Sequence, residues 1–348
     1  MPNNEKGNPS EGRGYMNVVG QEDLGKAGTD DILELKRKSN KYLNSLNLVA
    51  IWFRRMVGTI LPKGQFSRSI GVLVGSTIVG QAITSLASPV LTRLYTPADF
   101  GVMAVYVSLL STVSVMASLR YQLAIPLPEK DESAVNVLTL SLVIVLVMGV
   151  MTGLGVWILA DQIIRWSNAP ALRPYLWALP VGVLMVGGYG VFNYWAIRKH
   201  AFVRIARTKI NQGLGAIFTQ IGLGLLKLGP IGLILGQIVG RAAGITTLAV
   251  SAWKDSRGFL EDVSPNEMSC IAKRYKEFPL FSSWSAVFNA LSAHLPTLML
   301  SFFFGSTTTG LYDLGHRLMG LPMQLVGQAT AQVFFPAAVD ANSGDTLK

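Results

Sequence analysis

The sequence is short of charge, of cysteine and of histidine. Only 14% of its 348 residues are Asp, Glu, Lys or Arg, where soluble domains carry about 25%. A chain that is 50% hydrophobic with a mean hydropathy of +0.40 cannot clothe a water-facing surface, which excludes a soluble globular enzyme. Its single cysteine, Cys270, excludes a disulfide framework and any Cys-cluster metal site. The three histidines, His200, His294 and His316, are too scattered to form a metal constellation. There is no phosphate-cradling Gly-Lys-Ser/Thr loop, no His-Glu-x-x-His pair and no supported Ser/His/Asp arrangement. No catalytic residue, cofactor or metal is therefore expected. The strands of an outer-membrane barrel are about 10 residues long and alternate polar with apolar, and that pattern is missing too.

Long uncharged apolar runs are present instead. A bilayer core is crossed by about 20 apolar residues in helical conformation. The runs predict an all-α, polytopic transmembrane bundle with eight spans near 70–92, 101–119, 133–160, 174–197, 210–226, 228–252, 278–304 and 318–339. Lys227-Leu-Gly-Pro230 between the fifth and sixth is a helix stop that leaves room only for a tight turn. Residues 1–69 form a polar N-terminal extension without a signal peptide. It is expected to be disordered to about Asp30. Over 31–60 it can form a surface helix presenting Lys36, Arg37, Lys38, Lys41, Arg54 and Arg55 to lipid headgroups. A cytoplasmic loop at 253–277 and a polar tail at 341–348 complete the division.

Orientation follows from the basic residues. The extension, the loops 120–132, 198–209 and 253–277, and the tail hold 24 Lys and Arg, whereas the opposite side holds five: Arg93, Arg165, Arg173, Lys227 and Arg317. Cytoplasmic loops collect positive charge, so both termini are expected in the cytoplasm. The net charge of +10 reflects this asymmetry, and no nucleic-acid partner is expected.

Polar side chains inside the spans mark the candidate site. Gln81, Asn193, Gln220, Asn289, Gln324 and Gln328 lie in five different spans, with serines and threonines beside them. Amides at hydrocarbon depth face protein or water. Interhelical hydrogen bonding explains any one of them, whereas a hydrated cavity accepting sugar hydroxyls explains the set. Arg241 lies well inside the sixth span, after Gln237 and Gly240. An arginine there costs about 2.5–3.5 kcal/mol or more unless it faces water or a partner. Facing a cavity is favoured over snorkelling to an interface. Arg120, beside Tyr121, and His294, ahead of Pro296, are the other ionisable candidates: Arg120 reads as an interface anchor or a ligand, His294 as a proton relay or a neutral hydrogen-bonded ring. No acidic residue lies in a span core, with Asp313 placed at a boundary. A cationic, hydroxyl-rich cavity suits an anionic, polar ligand such as a diphosphate-linked sugar.

Four segments then carry a resemblance. Ser67-Arg-Ser-Ile-Gly-Val-Leu-Val-Gly-Ser-Thr with Pro89-Val-Leu-Thr-Arg-Leu-Tyr-Thr-Pro-Ala-Asp-Phe-Gly101 resembles the first span and outer loop of bacterial Wzx-like polysaccharide flippases. These are O-antigen and exopolysaccharide translocases of the multidrug/oligosaccharidyl-lipid/polysaccharide exporter superfamily. Arg120-Tyr-Gln-Leu-Ala-Ile-Pro-Leu-Pro128, Phe192-Asn-Tyr-Trp-Ala-Ile-Arg-Lys199 and the run Ala290 to Phe335 are similar to later parts of that family, in the same order.

The resemblance implies two six-helix lobes around a central cavity with alternating access. The cargo would be an undecaprenyl-diphosphate-linked oligosaccharide, moved from the cytoplasmic to the outer leaflet of the bacterial cytoplasmic (inner) membrane. Arg241, then Arg120, best fit the cationic positions that receive the diphosphate. Membrane lipids, a polysaccharide polymerase and other assembly proteins are the further partners it implies. Residues 70–252 correspond to a complete first lobe and 278–340 to two helices of a second, and the family carries 12 to 14 spans. A C-terminally truncated remnant or scaffold of a polysaccharide assembly complex remains open as an alternative. A multidrug/cation antiporter of the same fold is disfavoured by the missing intramembrane carboxylate.

Overall fold

A computed structural model of the chain describes residues 86–256 and 263–345 together with Gly75 and Gly80, with backbone alone for Leu318 and 321–345. Helix is the only regular structure among these residues. The helices are α1 (described over 86–94), α2 (Pro97–Ser114), α3 (Asp131–Ser167), α4 (Ala178–Arg198), α5 (Phe202–Leu225), α6 (Pro230–Ser256), the short α7 (Pro265–Arg274) and α8 (Ser283–Asp345). Among the described residues, four stretches are long and apolar enough to cross a membrane: Pro97–Ser114, Asp131–Ser167, Pro230–Ser256 and Phe278–Arg317. The expected N-terminal extension and most of the first span, including Gln81, fall outside the described residues.

Local chemistry sets the helix ends. At the start of α2 the Asp99 amide donates to Thr96 Oγ1 at 3.3 Å and the Thr96 amide to Asp99 Oδ2 at 2.9 Å. This reciprocal capping box, with Pro97 at the first helical position, satisfies amides that have no partner within the helix. α3 opens on Asp131 and Glu132, whose charges complement the helix dipole, and closes on Asn168 in the left-handed region at φ 46°. Its 37 residues run about 55 Å, well beyond the hydrocarbon thickness. Its outward side chains are apolar: Leu146, Val150 and Trp157 are 61%, 63% and 80% exposed. That face suits lipid.

The turn expected between the fifth and sixth spans is present. α5 ends at Leu225, Lys227 and Gly229 take positive φ, and Pro230 opens α6. The resulting hairpin is closed by a stripe on α6 at Gly232, Gly236, Gly240 and Gly244. A Cβ at Gly240 would lie 2.7 Å from the Gln212 carbonyl oxygen and 2.9 Å from the Ala216 Cβ. Repeated small residues at four-residue spacing let two backbones approach inside a membrane, and here they seat α6 on α5. Tyr95 pins the same hairpin by donating its hydroxyl to the Gln220 carbonyl at 2.6 Å. The core itself lies between α2, α4 and α6, where Tyr106, Leu172, Val183 and Ile234 are buried.

Two sequence expectations need correcting. The segment 305–317, read as an outer loop, is helical, and the only break in α8 is at Gly305, with φ 77° and ψ 179°. Ser306-Thr-Thr-Thr-Gly310 looks like a loop because it is polar. It is held as helix by Thr309 Oγ1, which donates to the Gly305 carbonyl at 2.9 Å, and by packing on α2. Gly101 and Gly310 make that packing possible, because a Cβ at either would run into backbone, that of Ser306 and Pro97 respectively. Asp313 lies four residues before the end of the stretch Phe278–Arg317, paired with Arg317 at 2.8 Å one turn later. Similarly, α5 begins at Phe202, inside the basic segment 198–209 expected as a loop.

Candidate substrate cavity

The position of Arg241 follows from the glycine stripe. Gly236 and Gly240 face α5, and the next residue along a helix points about 100° away. Gln237 and Arg241 therefore leave the α5 contact and line a cavity between α6, α2 and α4. The cavity measures about 270 Å³. Its polar lining is Ser111, Ser114, Gln237 and Arg241, and its apolar lining is Val107, Leu110, Val115 and Val186. The Arg241 Nε is buried and makes no hydrogen bond among the described residues, nor does the guanidinium form an ion pair there. The Ser114 hydroxyl oxygen is buried without a partner as well. A buried donor left unsatisfied costs about 1–3 kcal/mol, and more when it is charged. Two such groups meet in this one cavity.

The other sequence candidates separate into three groups. Arg120 and Asn193 each bury a side-chain atom without a hydrogen-bond partner, Nε and Oδ1 respectively. Arg120 sits past the end of α2 in a turn where both it and Leu119 have positive φ, 64° and 46°. That conformation costs a non-glycine residue about 1–3 kcal/mol and is concentrated at functional sites. Gln220 belongs to packing instead: its Nε2 donates to the Leu233 carbonyl at 3.3 Å across the hairpin. Asn289 is exposed and His294 half-buried on the first segment of α8, away from the Arg241 cavity lining. Gln324 and Gln328 lie on the backbone of α8, and their side chains fall outside the described residues, as does Gln81.

Ser111 and Ser114 were not singled out in the sequence, although a signal exists. Ser108, Ser111 and Ser114 recur every three residues along α2, which keeps them on one side of a helix. Among the described residues no group of His, Cys, Asp and Glu could hold a metal ion. Asp313 is tied to Arg317, whose guanidinium also lies 5.8 Å from the Phe100 ring.

Residues 90–345 match the family model described as polysaccharide biosynthesis protein. Over 274 residues the chain is 24% identical to the succinoglycan biosynthesis transport protein ExoT of Rhizobium meliloti (strain 1021), covering 78% of this chain and 53% of that protein. The chain thus spans about half the length of the curated relative it matches. No solved structure matches it. The family match takes in about three quarters of the 348 residues, and the all-helical architecture with apolar, membrane-length helices agrees with it: the chain belongs to the polysaccharide biosynthesis protein family.

Proposed function

We propose that this chain acts in the transport step of polysaccharide biosynthesis, as an eight-span flippase element for lipid-linked oligosaccharide repeat units in the bacterial cytoplasmic membrane. Arg241 receives the diphosphate that joins lipid to sugar, Arg120 and Asn193 lie along the path, and alternating access carries the unit outward. The observation that carries this reading is Arg241 lining the α2–α4–α6 cavity with its Nε buried and without a hydrogen-bond partner among the described residues. A guanidinium gives a diphosphate paired hydrogen bonds of fixed geometry, which a lysine point charge does not reproduce. The family and the succinoglycan transport relative support a polysaccharide cargo.

Expression in a strain lacking its own flippase tests the proposal, with surface polysaccharide as the readout and membrane levels of the chain as the control. The parent chain restores polysaccharide, Arg241→Lys restores part of it, and Arg241→Ala lowers it at least tenfold, the loss of about 1.4 kcal/mol. Equal restoration by Arg241→Ala at equal membrane level removes Arg241 from the path.

A further inference from the structure

The α5–α6 hairpin carries one acid. Asp255 is the only Asp or Glu between Phe202 and Ser256, and Arg204 holds it at 3.0 Å across the two helices. That ion pair sets the start of α5 beside the end of α6. Two further cations flank it: Arg207, one turn after Arg204, and Lys254, next to Asp255. Both are exposed. Among the described residues neither makes a hydrogen bond, an ion pair or a ring contact. Lys209, by contrast, is engaged, 5.1 Å from the Tyr189 ring on α4. We propose that this end of the hairpin binds an anionic phospholipid of the adjoining leaflet, its headgroup phosphate held by Arg207 and Lys254 and its acyl chains lying along α5 and α6. The proposal needs α6 to cross the membrane and is independent of what Arg241 receives.

Depth and surface chemistry both favour a lipid. The 27 residues of α6 run about 40 Å, against a hydrocarbon core of about 30 Å. With the Lys227–Pro230 turn at one interface, the last turn of α6 reaches the headgroups at the other. Trp253 in that turn is 57% exposed, and exposed indoles collect at headgroup level. The exposed side chains leading up to the cations are apolar. On α5 they are Val203, Leu214 and Phe218, which share a face with Arg207; on α6 they are Val239 and Val250, which share one with Trp253. Spacings of three, four and seven keep each set on one side of its helix. Basic groups at the ends of apolar helix faces recognise anionic lipid headgroups. A free anion or an acidic peptide would leave both apolar faces uncovered, whereas a phospholipid fills them with its chains.

The probes are phosphatidylglycerol and phosphatidylcholine with brominated acyl chains. They form vesicles holding the full chain, which carries a bimane label at Val250→Cys in a Cys270→Ser background. Bromine quenches a fluorophore that it touches, so the quenching by each lipid reports its occupancy beside Lys254. Phosphatidylglycerol is favoured there by about fivefold or more, the factor that one Lys or Arg near a charged leaflet supplies. The same label at the exposed Leu154→Cys, on the lipid face of α3, shows no preference. Combining Arg207→Gln with Lys254→Gln brings the ratio at Val250→Cys to about one. Arg207→Lys keeps the preference, because a headgroup at an interface responds to the charge rather than to forked geometry. Size-exclusion profiles identify any variant that has lost its fold. A second measurement needs no change to the cations: raising NaCl from about 0.05 M to about 0.5 M screens them and lowers the parent's ratio. A parent ratio near one at low salt overturns the proposal. So does a preference that survives the double substitution or the high salt, and so does an equal preference at Leu154→Cys.

Discussion

Arg198 at the end of α4 grips Asp131 at the start of α3, donating to the same carboxylate oxygen from its terminal nitrogen at 2.9 Å and from Nε at 3.1 Å. Lys199 holds the other oxygen at 2.6 Å. The remaining Arg198 donors close on the loop ahead of α3, reaching the carbonyls of Pro128 at 2.5 Å and Glu129 at 3.3 Å. A segment containing Pro126 and Pro128 has few backbone donors with which to hold itself, and one guanidinium substitutes for them. The Arg198 side chain is only 10% exposed, so this is an interior tie between helices.

Arg198→Ala leaves the Asp131 carboxylate and several loop carbonyls short of donors. Charge-assisted hydrogen bonds contribute about 1.5–3 kcal/mol each at most, and partial exposure of Asp131 reduces that. A destabilisation of about 2 kcal/mol is expected, with Arg198→Lys recovering only part because a lysine lacks the forked geometry. Thermal unfolding in detergent measures it. An Arg198→Ala midpoint equal to the parent's means that the tie is ornamental.

The glycine stripe makes a prediction with internal controls. Gly240→Val places side-chain atoms where Gln212 and Ala216 already sit, and overpacking of this kind costs about 1–3 kcal/mol. Gly188→Ala and Gly222→Ala meet nothing within 4 Å and remove a glycine from a helix interior, so they should be neutral or slightly stabilising. Protease resistance in the membrane ranks the three variants. The hairpin packing described above fails if Gly240→Val proves as resistant as Gly222→Ala.

Legibility in the sequence varied with the kind of signal. The α5–α6 turn was readable because Gly229 and Pro230 act on their own backbone, whatever surrounds them. Arg241 stands out along the chain because a charge inside an apolar run is costly in any fold. Gln220 was not, since an amide that bonds to Leu233 across a hairpin and an amide in a cavity look alike along the chain. Ser114 was hidden for a related reason: helix serines and threonines commonly satisfy themselves on the preceding turn, as Thr112 does on the Ser108 carbonyl and Ser141 on the Val137 carbonyl. The helical course of 306–317 was missed because its stabilisation comes from α2, far away in sequence, through the close approach at Gly101 and Gly310.

The basic asymmetry of 24 against five predicts that the two ends of α4 face opposite sides of the membrane. In a Cys270→Ser background, cysteines placed at Arg173 and at the exposed His200 should be labelled by impermeant maleimide from opposite faces, Arg173 from outside. Labelling of both from one face contradicts the orientation and the span count together.

The glycine stripe and Arg241 share one helix at a fixed angle, and this constrains how the gene can change. A single-residue insertion or deletion in α6 between Gly232 and Gly240 turns everything downstream by about 100° relative to the α5 contact. Either the remaining glycines leave α5, or Arg241 leaves the cavity. Substitutions on the outer surface of α6 are free of that coupling. Variation in this hairpin is therefore expected to run through exchanges of side chains, with its length held constant.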